Sequence, residues 1–114
     1  MAIFKEKTRT VKENPGLGKI INDHIIDESL FGGTNTLFGR ITLRPGCGVP
    51  FHQHVGNNET YYILAGEGEY QDGDKKAKVK AGYVTFCPDG SSHGLVNTGK
   101  EDLVFIALIA NTLK

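Results

Sequence analysis

The sequence predicts an all-β fold, a sandwich or barrel of many short strands, and three observations carry this prediction. Fifteen glycines are spread through the 114 residues, and frequent glycine indicates frequent chain reversals. The apolar residues between these glycines recur at alternate positions or in short continuous runs, which is typical of strands. No segment keeps a helical period over several turns. A chain of this length suits one domain with one core.

The predicted elements follow one another closely along the chain. In the first 33 residues, Asn14-Pro15-Gly16 predicts a turn, and the isoleucines beyond it fit either a strand or a short helix. We assign residues 1–33 to a β-rich N-terminal arm and residues 34–114 to the barrel on which it packs. Strands are predicted within the barrel at 35–43, 59–65, 67–71, 75–80, 83–86 and 103–109.

A turn and a strand within this barrel carry further information. Asp72-Gly73-Asp74 separates a pair of strands and is a good hairpin turn, because glycine tolerates a positive φ. The segment 103–109, with the sequence LVFIALI, is continuously apolar and must be covered on both faces. The barrel interior can cover one face, and either the arm or a partner chain the other. We therefore expect a homodimer.

The charge balance excludes several classes of partner. Lys plus Arg and Asp plus Glu each number 13, so no basic stripe is available for nucleic acid or an anionic membrane surface. The N-terminal segment has no apolar leader, and a cytoplasmic location is expected. Cys47 and Cys87 form no disulfide framework and are expected to be reduced, either as small buried side chains or as redox-sensitive thiols.

Three histidines and one glutamate form a candidate metal site. In His52-Gln53-His54 the two imidazoles lie two residues apart, so on a strand they face the same side. Glu59 follows after a short loop, and His93 must come from a neighbouring strand. This mixed nitrogen and oxygen set suits one divalent transition-metal ion, whether iron, manganese, nickel, zinc, cobalt or copper. Four protein ligands leave about two positions open on a six-coordinate ion.

The same residues lie within two longer motifs. The pattern G-x5-H-x-H-x3,4-E-x6-G runs from Gly46 to Gly66, and the pattern G-x5-P-x-G-x2-H-x3-N runs from Gly82 to Asn97. Together the two motifs resemble those of the cupin superfamily, in the form of a small single-domain barrel. The resemblance implies a double-stranded β-helix, or jelly-roll, barrel with the metal ion inside it. Asn97 is expected to bridge backbone groups and not to touch the metal.

Because similar barrels serve many chemistries, the resemblance implies a class of site and leaves the reaction open. The favoured hypothesis is a metal-dependent enzyme of the dioxygenase or decarboxylase/lyase type, acting on a small carboxylate or diketone-like molecule. The alternatives are a non-catalytic binding or sensing protein and a zinc-dependent sugar isomerase-like enzyme. The chain resembles oxalate decarboxylases in motif, but Val49 stands where those proteins carry an arginine. This departure argues against an oxalate-specific assignment.

Several residues have candidate roles beside the metal. Glu59 is either a ligand or a general base, and Tyr61, in register with it, is expected to point inward as a second catalytic group. Arg40 lies on a predicted strand and faces either solvent or a polar cavity, where it would pair with a substrate carboxylate. His24 is assigned to the surface or an interface, and Gln53 to the outer side of the barrel.

Overall fold

A computed structural model describes residues 3–6 and 8–112 of the chain. One 3-10 helix, Glu28–Phe31, follows the second strand, and no helix of the described residues has the length and apolar character needed to cross a membrane. The strands, in chain order, are β1 (Arg9–Asn14), β2 (Gly18–His24), β3 (Asn35–Leu43), β4 (Gly48–Gln53), β5 (Asn57–Ala65), β6 (Glu67–Asp72), β7 (Lys75–Lys80), β8 (Val84–Cys87), β9 (Ser92–Val96) and β10 (Leu103–Asn111).

The strands form two sheets, and every pairing in them is antiparallel. The six-stranded sheet has the order β1-β2-β3-β10-β5-β8, and the four-stranded sheet has the order β4-β9-β6-β7. Neighbours in both orders are often distant in sequence, as in a double-stranded β-helix. The predicted all-β jelly-roll barrel is confirmed. The strands β3 and β7 have the predicted bounds, whereas β8 begins and ends one residue later than predicted.

The N-terminal arm is β-rich, as predicted, and it continues the larger sheet. Strand β1 pairs with β2 from Arg9↔Asp23 to Asn14↔Gly18, and β2 in turn pairs with β3. Of the two alternatives for the isoleucines, the strand holds for Ile20 and Ile21, which lie in β2. The division between residues 33 and 34 stays a prediction. Parts of the two predicted segments, residues 1, 2, 7, 113 and 114, lie outside the described residues.

The core lies between the two sheets and is centred on β10. This strand lies in the middle of the larger sheet, where it pairs with both β3 and β5. Its inward side chains, Leu103, Phe105 and Ala107, are at most 1% exposed, whereas the outward ones are half-buried. Full burial of one large apolar side chain stabilises the fold by about 1.5–3 kcal/mol.

Two residues of the motifs hold the ends of strands together. Gly66 has φ +83°, and a Cβ atom there would lie 2.4 Å from the carbonyl oxygen of Asp102, so only glycine fits. Asn97 donates through Nδ2 to the carbonyl oxygens of Leu43 and Glu101, each at 2.8 Å. Its side-chain oxygen accepts from the backbone of Gly99. The expectation that Asn97 bridges backbone groups agrees with these contacts.

Candidate metal centre

Three strands bring the four predicted ligands to one end of the barrel interior. His52 lies near the end of β4 and is the register partner of His93 on β9. His54 directly follows β4, and Glu59 faces inward from β5 in the opposite sheet. Gln53 lies between the two histidines, is exposed and donates to the carbonyl oxygen of Gly90. The alternation expected of a strand therefore places both imidazoles on the inner side.

The donor atoms of these four side chains converge on one point. The Nε2 atom of His54 lies 3.1 Å from Nε2 of His52 and 3.0 Å from Nε2 of His93. Glu59 Oε1 lies 3.0 Å from His54 Nε2 and 2.9 Å from His93 Nε2. One ligand atom from each of the four residues lies within 4.8 Å of every other. His54, Glu59 and His93 are buried, and His52 is half-buried.

The opposite ring nitrogens are engaged in hydrogen bonds that orient the imidazoles. The Nδ1 atom of His52 lies 2.7 Å from the carbonyl oxygen of Pro50, which can only accept, so this nitrogen carries the proton. His54 Nδ1 lies 2.6 Å from the side-chain oxygen of Asn57. His93 Nδ1 lies 2.7 Å from the hydroxyl of Tyr70. Such outer contacts fix the ring orientation and tautomer of metal-ligating histidines.

These contacts fit a bound cation. Because Nδ1 of His52 and Nδ1 of His54 each contact an oxygen acceptor, both rings can present an Nε2 lone pair to a cation at the same point. Among the described residues, the ion-pair partners of the buried Glu59 carboxylate are His54 and His93. Neutral imidazoles would leave its charge uncompensated, which is costly in a protein interior. A divalent metal ion satisfies both requirements.

Two buried tyrosines border the cluster. Tyr61 is 2% exposed, and its ring stacks on His93 with the ring centres 5.0 Å apart. Burial, followed by the nearby Glu59 carboxylate, raises the pKa of the Tyr61 phenol well above its usual value. Burial also raises the pKa of Tyr70 to about 12. Both hydroxyls therefore stay protonated at neutral pH, so each carries a proton that it can donate in a hydrogen bond.

The two cysteines are free thiols. Cys87 is buried and faces inward opposite Glu59 in the β5–β8 register. Burial, with a smaller contribution from Glu59, raises the pKa of the Cys87 thiol. Cys47 is half-buried and packs against the edge of the core. A raised pKa lowers the thiolate fraction of Cys87 and so lowers its reactivity.

A cavity of about 250 Å³ opens beside the cluster, between the two sheets. His52, Glu59 and Tyr61 line its metal end. Most of the remaining wall is apolar and comes from β2, β3, β4 and β10. At the far end the β1–β2 hairpin contributes three polar side chains, Thr10, Lys12 and Asn22. The barrel therefore encloses space for a small molecule next to the candidate metal site.

Arg40, the predicted substrate residue, does not lie in this cavity. Its neighbours Ile41 and Leu43 alternate inward along β3, so Arg40 points to the outer face of the sheet. There it donates to the carboxylates of Glu6 and Asp23. His24 is likewise remote from the cluster and contacts Thr10 and Glu28. A substrate role for Arg40 stays a prediction, and it would require a ligand outside the barrel.

Several residues of the site were not predicted. Tyr70 and Asn57 contact the ligand histidines, and Lys12 and Asn22 line the cavity. The alternation of β6 could have placed Tyr70 inside, but not against a particular imidazole. For the hairpin residues the missing information was the register of β1 and β2 on β3, which decides which side chains face the interior.

Comparison with known proteins agrees with this structure. A family model described as the cupin domain matches residues 39–109. An oxalate-binding protein of Thermotoga maritima is 42% identical over 94 residues, which is 82% of this chain and 78% of that protein. A crystal structure described as a predicted oxalate decarboxylase of Thermotoga maritima superposes with a TM-score of 0.86 at 34% identity, covering 96% of this chain and 99% of that one.

More distant proteins share only the fold. A double-stranded β-helix protein of Klebsiella pneumoniae superposes with a TM-score of 0.72 at 24% identity, covering 89% of this chain and 83% of the other. The family model spans well over half of the present chain and includes all four candidate ligands. The chain therefore belongs to the cupin family.

Proposed function

We propose that this protein binds one divalent transition-metal ion through His52, His54, Glu59 and His93 and, beside it, a small acid that carries oxygen atoms on two adjacent carbons. The observation that carries the proposal is the convergence of one donor atom from each of these four side chains within 4.8 Å, an arrangement that suits a metal ion. The similar Thermotoga protein named for oxalate binding supports this class of acid, because oxalate presents two adjacent carboxylates.

The ligand spacing favours an ion with open positions. Four of the donor-atom distances are 2.9–3.1 Å. His52, His54, Glu59 and His93 would hold the ion, and an ion that prefers six ligands would keep positions for an acid. When bound, the metal ion supplies the positive charge that holds and polarises the acid's oxygen atoms.

The protein's own groups would prepare this end of the cavity. The carbonyl of Pro50 and the side chain of Asn57 orient two of the imidazoles. Tyr61 lines the cavity beside Glu59, and its protonated phenol can donate a hydrogen bond to an acid oxygen. Phe105 and Ala107 of β10 form an apolar part of the cavity wall. Charged contacts are stronger beside apolar side chains than in water, because the local dielectric constant is lower.

Calorimetric titration with oxalate tests the proposal. We expect oxalate to bind protein loaded with manganese, iron, cobalt, nickel or zinc, and not the protein after chelation of the metal. His54→Ala should abolish oxalate binding, whereas His24→Ala, the matched change outside the cluster, should leave it within about twofold. Oxalate affinity that is unchanged by metal removal would refute the proposed site, and so would the absence of binding in every loaded form.

Turnover is a second candidate, favoured by the position of Tyr61. A decarboxylation breaks a carbon–carbon bond, releases carbon dioxide and leaves an electron pair on carbon that must receive a proton. The Tyr61 phenol lines the cavity and stays protonated, so it can deliver that proton. Tyr61→Phe should weaken oxalate binding by no more than about tenfold, the value of one hydrogen bond, and lower carbon dioxide release by at least about 100-fold. Oxygen uptake during turnover would instead indicate the dioxygenase alternative. If no metal-loaded form releases any product, the protein is a binding protein and not an enzyme for oxalate.

We also propose that a second copy of the chain is a partner. Four large apolar side chains share the outer face of β5 and β8 and are 43–62% exposed: Tyr62, Leu64, Val84 and Phe86. Tyr62 and Val84 are direct cross-strand neighbours, so the patch is continuous. Exposed continuous apolar surface of this kind marks association sites, and the zero net charge does not oppose self-association.

A further inference from the structure

The cavity beside the metal cluster is lined in a way that oxalate alone does not explain. Beyond the metal end its wall includes Ile20, Ile41, Val49, Phe105 and Ile109. Oxalate has two carbon atoms and no C–H bond, so it offers nothing apolar to this wall. A pocket lined mainly by apolar side chains with a few polar groups fits a ligand whose body is apolar.

The two polar ends of the cavity lie on different strands of the larger sheet. Glu59 lies on β5 and Lys12 on β1, with β10, β3 and β2 between them in the sheet. The cavity of about 250 Å³ has room for more than a two-carbon acid. The cavity therefore suits an elongated molecule that reaches from the metal end toward the hairpin.

The hairpin end offers polar groups that the protein leaves unused. The side-chain oxygen of Asn22 is buried and has no hydrogen-bond partner among residues 3–6 and 8–112. A buried polar atom without a partner destabilises the fold unless a ligand satisfies it. The Asn22 amide occupies space over Gly39, where a Cβ atom would lie 2.0 Å from its oxygen.

Lys12 supplies a positive charge at the same end. Its side chain lines the cavity, and within the described part of the chain it forms no ion pair. Its flexible side chain can carry the ammonium group over the mouth as a compact point charge. Rotation of the Asn22 amide presents Nδ2 in place of the oxygen, so Asn22 can donate beside Lys12.

We infer, resting on the proposed function, that the ligand class is a 2-oxo acid with an apolar body and a terminal carboxylate, and that Lys12 and Asn22 determine this specificity. The adjacent carboxylate and carbonyl of a 2-oxo acid present the same pair of oxygens as oxalate to the metal end. The methylene groups pack on Ile41 and Phe105. The terminal carboxylate meets Lys12 and the Asn22 amide at the hairpin.

Titrations of the metal-loaded protein with three acids separate the contributions of the metal end, the apolar wall and the hairpin to binding. Oxalate carries only the adjacent oxygens, 2-oxohexanoate adds the apolar body, and 2-oxoadipate adds the terminal carboxylate as well. We expect 2-oxohexanoate to bind at least about tenfold more tightly than oxalate, because four apolar carbons at about threefold to fourfold each outweigh the loss of one negative charge at the metal end. We expect 2-oxoadipate to gain a further threefold to fivefold, about the value of an exposed ion pair. This last gain should shrink at high salt.

Variants of the β1–β2 hairpin test which of its residues make 2-oxoadipate bind more tightly than 2-oxohexanoate. Lys12→Gln should weaken 2-oxoadipate binding about threefold to fivefold and leave 2-oxohexanoate within about 1.5-fold. Lys19→Gln, an exposed lysine of the same hairpin that does not line this cavity, is the matched control and should change neither acid. Asn22→Ala should weaken 2-oxoadipate binding without lowering the melting temperature, since it removes an unpaired buried oxygen.

The outcomes distinguish this inference from the proposed function. If oxalate binds the metal-loaded protein more tightly than both longer acids, the proposed function stands and the specificity assignment is overturned. Equal effects of Lys12→Gln on 2-oxohexanoate and 2-oxoadipate would remove Lys12 from the assignment. If none of the three acids binds any metal-loaded form, the proposed function itself fails.

Discussion

Each imidazole of the cluster contacts a different kind of group through its Nδ1 atom. His52 Nδ1 donates to a backbone carbonyl, His54 Nδ1 lies against an amide oxygen, and His93 Nδ1 lies against the hydroxyl of Tyr70. A carbonyl fixes one tautomer, whereas a hydroxyl can rotate and accept or donate. The Tyr70 contact is therefore the most informative one to remove, because it supports a ligand without belonging to the cluster.

Tyr70→Phe should weaken metal affinity about tenfold, because the His93 N–H loses its buried acceptor. Competition against a calibrated chelator measures the change. Tyr62→Phe, at an exposed position on the outer face, provides the control and should leave the affinity unchanged. Equal metal affinity in the Tyr70→Phe variant and the unmodified protein would mean that the contact does not support the site.

The β1–β2 hairpin is the element that completes the cavity, and an ion pair joins its two strands. Arg9 Nε donates to Asp23 Oδ1 at 2.7 Å, and Arg40 lies 3.4 Å from the other carboxylate oxygen. The Arg9 hydrogen bond is the largest cause that lowers the pKa of Asp23 below its ordinary value. A carboxyl group with a lowered folded pKa stabilises the fold above its unfolded pKa and loses this effect as pH falls through the folded value.

Asp23→Asn should lower the free energy of unfolding by about 0.5–1 kcal/mol at pH 7, since the ion pair is partly exposed. The difference should disappear well below about pH 4, where Asp23 becomes protonated. Urea unfolding followed by circular dichroism at neutral and acid pH measures both values. Asp74→Asn, in an exposed turn, should show no difference at either pH. A pH-independent loss in the Asp23→Asn variant would show that the charge does not matter.

The elements that carry glycine and alternating apolar residues could be predicted from the sequence. Strands β3 and β7 have the predicted bounds, and the turn at Gly73 has the expected positive φ. The convergence of the four candidate ligands could be predicted because they lie within motifs of fixed spacing. The hairpin side chains that line the cavity could not be predicted, because the inward side of the hairpin depends on a register set by long-range pairing with β3. Local sequence also could not decide whether Arg40 points into the barrel or toward solvent, because strand alternation defines two faces without showing which one is inside.

At the scale of the whole molecule, the exposed apolar patch of β5 and β8 is the basis for the proposed dimer. Light scattering should give a mass near twice 12.4 kDa. Phe86→Glu places a charge within the patch, where Phe86 is 54% exposed, and should yield a monomer that remains folded. Ile3→Glu, an exposed apolar residue outside the patch, should leave the dimer intact. A monodisperse mass near 12.4 kDa for the unmodified protein would contradict the proposal.

The core between the sheets, and not the candidate ion, is expected to supply most of the stability. Phe105, Leu43 and Ile63 are at most 1% exposed, and the cluster lies at one end of this core. A chain of this size buries enough apolar surface to fold without a metal staple. His52→Ala should therefore remove the metal while the circular dichroism spectrum of the barrel persists, in contrast to domains that fold only around their ion.

The metal content of the purified protein tests the central claim most directly. Elemental analysis of protein from cells supplied with iron, manganese and zinc should give about one transition-metal ion per chain. The same analysis of folded His52→Ala should give almost none. A folded, unmodified protein with a metal content near zero, both as purified and after incubation with these ions, would contradict the assignment of His52, His54, Glu59 and His93 as a metal centre.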